Sequence, residues 1–98
     1  MKTVIWKSRN TKELDLSKYL PTDCDTLIMG GKGGYDSRVL NFAWDNDMKT
    51  CIHYPINDTV VIENIISDAD LVLIFSNEEI EEIITECKKL EKPYKIIK

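Results

Sequence analysis

The chain contains four glycines, and all of them lie within the five positions Gly30–Gly34. They follow an apolar run, Thr26–Met29, and precede a pattern typical of a helix. Glycine lets a ligand approach the backbone closely, and the free N–H groups at a helix N-terminus attract anions. One or two glycines would suffice for a tight turn, so their density favours a phosphate-binding loop. The spacing is not the full G-x-G-x-x-G motif, and no Walker lysine is followed by Ser or Thr.

Several side chains in and just after this loop could complete the site. Lys32 and Arg38 could add positive charge, and Arg38 could either clamp a phosphate or pair with a surface acid. Asp36 is the expected N-cap of the following helix. Because an acid opposes a phosphate, Asp36 could instead contact a ribose hydroxyl. Tyr35 completes the predicted loop.

Short strand-like runs alternate with helical patterns along the whole chain, as in βαβ units. The predicted strands are Thr3–Lys7, Thr26–Met29, Thr50–Tyr54, Leu71–Phe75 and Tyr94–Ile97. The predicted helices are Glu13–Leu20, Asp36–Asp47, Thr59–Ser67 and Asn77–Glu91. The sequence therefore predicts one domain, residues 1–98, with an α/β fold. We expect a small Rossmann-like three-layer α/β/α sandwich whose mostly parallel sheet has about five strands, in an order that the sequence does not reveal.

Ligands of such sheets bind beyond the carboxyl ends of the strands. This rule selects four segments: Lys7–Asn10, Gly30–Arg38, His53–Asp58 and Ser76–Glu79.

Three of these segments add further residues to the predicted site. Arg9 could hold a phosphate or pair with a surface acid. Tyr54 could stack on a base, or it could be a half-buried tyrosine of the rim. Asn77, in the segment that follows the fourth strand, is a further predicted ligand-binding residue. His53 should point away from Tyr54 on a regular strand, and we assign it no catalytic role.

Charge and cysteine usage exclude several classes of function. The net charge is −4, divided as +2 over residues 1–40 and −6 over residues 41–98, so a broad basic face for DNA or RNA is not expected. No apolar run is long enough to span a bilayer, and the apolar segment at the start of the sequence is too short for a secretory signal. We therefore expect a cytoplasmic protein. Cys24, Cys51 and Cys87 should be reduced thiols, the last two in the core. With one histidine, neither a metal site nor a cofactor is predicted.

The order of these motifs resembles the order found in the SLOG superfamily, and in its YspA-type branch in particular. The features that carry the resemblance are a strand followed by Ser-Arg, then Gly-Gly-x-Gly-x-Asp before a helix, a Tyr-Pro turn, and later "SDADLVLIFS". The superfamily also contains the cytokinin-activating LOG phosphoribohydrolases. The resemblance implies a Rossmann-like fold that binds nucleotides or NAD-derived molecules. It places Ser8 and Arg9 at the end of the family's first strand, and it matches the first glycine motif with Gly30, Gly31, Gly33 and Asp36.

The second glycine motif of the family departs more strongly from this chain. That motif reads Pro-Gly-Gly-x-Gly-Thr in the family, whereas Val72–Phe75 stand there without a glycine. Ser76 takes the place of the motif's Thr, and Glu78 and Glu79 take the places of its two acids. Glu79 would then be the catalytic glutamate, or simply the capping-box partner of Ser76. The two acids would repel an anion, so catalysis is not favoured.

The sequence leaves three hypotheses open. The leading one is non-enzymatic sensing or sequestration of a nucleotide or an NAD/ADP-ribose-derived ligand. The second is a nucleotide phosphoribohydrolase acting through Glu79. The third is a protein-interaction domain with a vestigial site, in which the acidic helix Asn77–Glu91 forms the contact surface. Trp6 and Trp44 are expected to pack, although one could face a partner in a homodimer or higher homo-oligomer.

Overall fold

The computed structural model describes residues 1–7, 15–30, 37–53, 62–75 and 80–97. Within these ranges five strands alternate with four helices, as the sequence predicted. The elements are β1 (Lys2–Lys7), α1 (Leu16–Tyr19), β2 (Thr26–Gly30), α2 (Ser37–Asp45), β3 (Lys49–Ile52), α3 (Ile62–Ile66), β4 (Leu71–Phe75), α4 (Ile80–Lys89) and β5 (Tyr94–Ile96).

The five strands form one sheet in the order β3-β2-β1-β4-β5, and every neighbouring pair is parallel. Strand β1 lies at the centre, where Val4 has Ile28 of β2 on one side and Val72 of β4 on the other. Strands in this position are covered on both faces, which explains the continuous apolar runs of β2 and β4. The predicted parallel sheet of about five strands is confirmed.

Alternate residues of the central strands build two separate cores, one on each face of the sheet. Val4 and Trp6 of β1 point to the face that α3 and α4 cover, and Ile5 points to the face that α1 and α2 cover. The first core contains Ile28, Val72, Ile74, Ile65, Ile66, Ile83 and Cys87. The second contains Leu27, Met29, Leu73, Phe75, Leu16, Val39, Leu40 and Ala43. Two helices on each face of one sheet make the three layers that the sequence predicted.

Two helices end in a left-handed residue that is not glycine. Asp47, after α2, has φ 54°, and Glu91, after α4, has φ 55°. The amide of Met48 donates to the carbonyl of Ala43, and the amide of Lys92 donates to that of Cys87, each at 2.8 Å. Glycine is the usual residue at such helix ends because it carries no Cβ penalty there. The chain therefore closes these helices without using any of its four glycines.

The structure corrects two expectations about the core. Cys87 is fully buried, as predicted, but Cys51 is exposed because it lies on β3, one of the two edge strands of the described sheet. Trp6 packs in the core at 8% exposure, but Trp44 is 67% exposed. The reason is that α2 turns Val39, Leu40 and Ala43 toward the sheet, which leaves Trp44 on its outer side.

Candidate functional site

The sheet has a topological switch point between β1 and β4. The chain leaves β1 toward β2 and a helix on one face, and it leaves β4 toward β5 and a helix on the other face. Connections that diverge in this way open a crevice beyond the carboxyl ends of the two strands. Lys7 and Phe75 are the paired last residues of β1 and β4, so a ligand bound at the switch point would lie beyond these two residues.

Two buried aromatic side chains lie near the carboxyl ends of β1 and β4. Trp6, one residue before the end of β1, is buried against the α3 and α4 side, and Phe75, the last residue of β4, is 4% exposed on the other side. Both are large rings packed in the core, so the protein directly below these strand ends is rigid and closed to water.

The glycine loop follows the strand next to the switch. Gly30 is the last residue of β2 and pairs with Trp6 of β1. On the other side of β2, the amide of His53 donates to the carbonyl of Met29 at 2.9 Å. The backbone from which the loop leaves is therefore fixed on both sides.

Of the other predicted site residues, only Arg38 lies in the described part of the chain. It is an exposed residue in the first turn of α2, directly after the loop. The remaining candidates lie outside the described residues: Ser8, Arg9, Gly31, Lys32, Gly33, Gly34, Tyr35, Asp36, Tyr54, Ser76, Asn77 and Glu79.

A cluster of aromatic and basic residues beside β4 was not anticipated from the sequence. The ring of Tyr19, in α1, meets that of Phe75 edge to face, with 5.8 Å between centroids and 77° between planes. The ammonium groups of Lys18 and Lys95 lie 5.5 Å and 5.4 Å from the centroid of the Tyr19 ring. We call these four residues the Tyr19 cluster. These residues come from α1, β4 and β5, so no local sequence pattern could reveal the cluster.

The amino edge of the sheet, where the strands begin, carries an ion pair that shifts the pKa of both of its partners. The N-terminal ammonium donates to the carbonyl of Asp23 at 3.0 Å and to the carboxylate of Asp25 at 3.2 Å. The hydrogen bond to Asp25 raises the pKa of the amino group, and the same bond lowers the pKa of Asp25. The carboxylate of Asp70 accepts from the amide of Lys2 at 2.8 Å. These acids lie at the edge opposite to the switch point.

The described residues show neither a membrane helix nor a metal centre. No helix among them is long and apolar enough to cross a bilayer. Nor do three or more His, Cys, Asp or Glu side chains in these ranges come together in a way that could hold an ion.

Comparisons of the chain with family models, with curated proteins and with solved structures gave no match. The resemblance to the SLOG superfamily thus continues to rest on the residues quoted above.

Proposed function

We propose that this protein binds a nucleotide or an NAD/ADP-ribose-derived ligand without consuming it, and that it belongs to the SLOG superfamily. The observation that carries the proposal is the strand order. The switch point lies between β1 and β4, and β2, whose end begins the glycine loop, is the immediate neighbour of β1. In sheets of this kind the switch point is where nucleotides bind.

The distribution of glycines supports this proposal. Asp47 and Glu91 adopt left-handed conformations at which glycine would cost less, yet neither position has it. All four glycines are concentrated at the last residue of β2 and in the segment between β2 and α2 instead. A general need for turns does not account for that distribution, whereas close approach of a ligand to the backbone does.

Basic side chains near the switch point would also favour an anionic ligand, against the opposing charges of Glu78 and Glu79 that follow β4 in the sequence. The chain as a whole has a net charge of −4, yet the Tyr19 cluster places two ammonium groups beside the end of β4. Arg38 adds a third basic residue directly after the loop. Positive charge on this side would attract phosphates more strongly than the rest of the surface would.

The proposal is tested by mass spectrometry and calorimetry on the purified chain. The protein is incubated with AMP, NAD, ADP-ribose and cyclic ADP-ribose isomers, and the retained molecules are identified after denaturation. We expect an unchanged ligand. Release of a free base and a ribose phosphate would instead support the phosphoribohydrolase with Glu79, and the absence of any retained molecule would overturn the proposal.

Two variants locate the site. Gly31→Asp or Gly33→Asp should weaken binding by at least about 100-fold, because an added like charge costs several kcal/mol at an anion site. Thr22→Asp is the matched control, since it adds the same charge at an exposed turn near the amino edge. Urea unfolding should show that all three variants remain folded. Equal affinity in the glycine variants and the control would mean that the ligand binds elsewhere.

The exposure of Trp44 favours a second function, self-association through α2. Trp44 is 67% exposed on the outer side of α2, and tryptophan is enriched at the centres of protein interfaces. Sedimentation velocity should show a concentration-dependent dimer that Trp44→Ala abolishes, whereas Asn41→Ala on the same outer side should have little effect. A chain that stays monomeric at high concentration would exclude this function.

A further inference from the structure

The three cysteines have very different surroundings. Cys24 is half-buried, and its sulfur lies 3.3 Å from the hydroxyl of Thr3 and 3.5 Å from the carbonyl of Thr26. Cys87 is fully buried, and burial raises the pKa of its thiol. Cys51 is exposed on the edge strand β3. Of the three thiols, only that of Cys51 is freely accessible to a reagent in solution.

The thiol of Cys51 also has a base beside it. Its sulfur lies 3.7 Å from Nε2 of His53, which directly follows β3, because residues two apart in an extended chain point to the same side. The backbone of His53 is fixed by the hydrogen bond from its amide to Met29, so the ring starts from a defined position. A thiol in contact with an imidazole is activated because the ring can accept the proton as the sulfur attacks.

Lys49 adds positive charge on the same side of β3. It lies two residues before Cys51, it is exposed, and the alternation of the strand points it in the same direction. Reactive cysteines are found in partly exposed surroundings with positive charge nearby, because the attacking species is the thiolate. Cys51 is thus flanked along the strand by an ammonium group on one side and an imidazole on the other.

We propose that Cys51 is a modification site that forms mixed disulfides with small disulfide molecules, assisted by His53. The imidazole accepts the thiol proton as the sulfur attacks one sulfur of the small disulfide. The S–S bond of the reagent breaks, a new S–S bond forms to Cys51, and the departing thiolate takes up the proton. Cys51 is oxidised, and one of the two sulfurs of the disulfide molecule is reduced to a free thiol, so the step needs no other oxidant.

The position of β3 makes room for such an adduct. As the edge strand of the described sheet it has β2 on one side only, so a group attached to Cys51 displaces no core residue. The proposed thiol chemistry does not rest on the proposed ligand function, since it requires only the side chains of Cys51 and His53 and not the glycines or the switch point between β1 and β4.

The experiment treats the native chain with glutathione disulfide at neutral pH and follows adduct formation by intact mass, with peptide mapping to assign the site. We expect the first adduct on Cys51, at least about tenfold faster than on Cys24. In urea the three thiols should react at similar rates, and native Cys51 should react faster than denatured Cys51. Reaction of native Cys51 no faster than in the denatured chain would overturn the proposal.

Variants of the neighbouring residues test the mechanism. His53→Gln keeps a polar side chain of similar size without the base, and it should slow the adduct at Cys51 about tenfold. Lys49→Gln should have a smaller effect, about twofold, because it removes only a flanking charge. The rate at Cys24 in the same samples is the internal control and should not change. An unchanged rate at Cys51 in His53→Gln would show that the imidazole takes no part.

Discussion

Strand β4 lies between β1 and β5 with four of its five residues buried, whereas strand β3 lies at the edge with three of its four residues exposed. Both strands are parallel members of the same sheet, and both contain apolar or β-branched residues. Position in the sheet decides which residues are buried, and a short apolar run does not reveal that position. The exposed strand consequently presents Cys51 to solvent, while the covered strand supports the core on both faces.

Truncation of one side chain in each strand should give the largest difference. Ile74 of β4 is fully buried between Trp6 and Ile96, so Ile74→Ala should lower the free energy of unfolding by about 3 kcal/mol through lost burial and the resulting cavity. Thr50 of β3 is exposed, and Thr50→Ala should cost less than about 1 kcal/mol. Urea unfolding measures both values. Similar losses in the two variants would mean that β3 is covered in solution.

Replacement of the buried and the exposed thiol should give a smaller difference of the same kind. Cys87→Ser places a hydroxyl in the core formed with α4, and it should cost about 1–3 kcal/mol. Cys51→Ser on β3 should change the free energy of unfolding by less than about 0.5 kcal/mol. Thermal unfolding of both serine variants checks the prediction, which fails if their melting temperatures fall equally.

The smallest effect concerns the amino edge, where Asp25 supports the beginning of the edge strand. Its carbonyl accepts from the amide of Lys49, the first residue of β3, at 2.9 Å, and its carboxylate accepts from the N-terminal ammonium. The raised pKa of the amino group means that its contribution is complete below its ordinary value of about 8 and is lost as pH rises through the raised value. The lowered pKa of Asp25 means that its contribution is present above about 4 and is lost as pH falls through the lowered value.

Stability should accordingly decline at both ends of this range, by a small amount because both groups are exposed and screened by salt. Asp25→Asn should reduce both declines, while Asp47→Asn, which is also exposed, should leave them unchanged. Urea unfolding across the pH range makes the comparison. Identical pH profiles for Asp25→Asn and the unmodified chain would show that the ion pair contributes nothing in solution.

The sequence predicted the type and order of the elements well, because each depends on a local pattern. All five strands were predicted to within about two residues, and the described parts of the four helices fall inside the predicted ranges. The strand order could not be predicted, because it depends on pairs such as Thr3 and Leu71 that are distant along the chain. The burial of Cys51 was misassigned for the same reason, because its exposure follows from the edge position of β3. The burial of Trp44 was misassigned because α2 turns other side chains toward the sheet.

The location and the composition of the candidate site both stay predictions, because the described residues establish only the position of β2 in the sheet. The rule on carboxyl ends selected the segment after β2, and the structure places β2 next to the switch point. Most of the residues named for the site lie outside the described residues, so their roles stay predictions. The Tyr19 cluster was missed because Tyr19, Phe75 and Lys95 come from three elements and meet only through the strand order.

The central position of β1 has a consequence for synthesis of the chain. Its partner on one side, β2, follows closely in sequence, but the contact between Lys2 and Asp70 at the start of its other side spans 68 residues. A nascent chain that has formed β1, β2 and β3 still has one open edge on β1, with unpaired N–H and C=O groups, until β4 leaves the ribosome. Open edges of this kind pair readily with other chains. A chain truncated before residue 71 would therefore expose an aggregation-prone half-sheet.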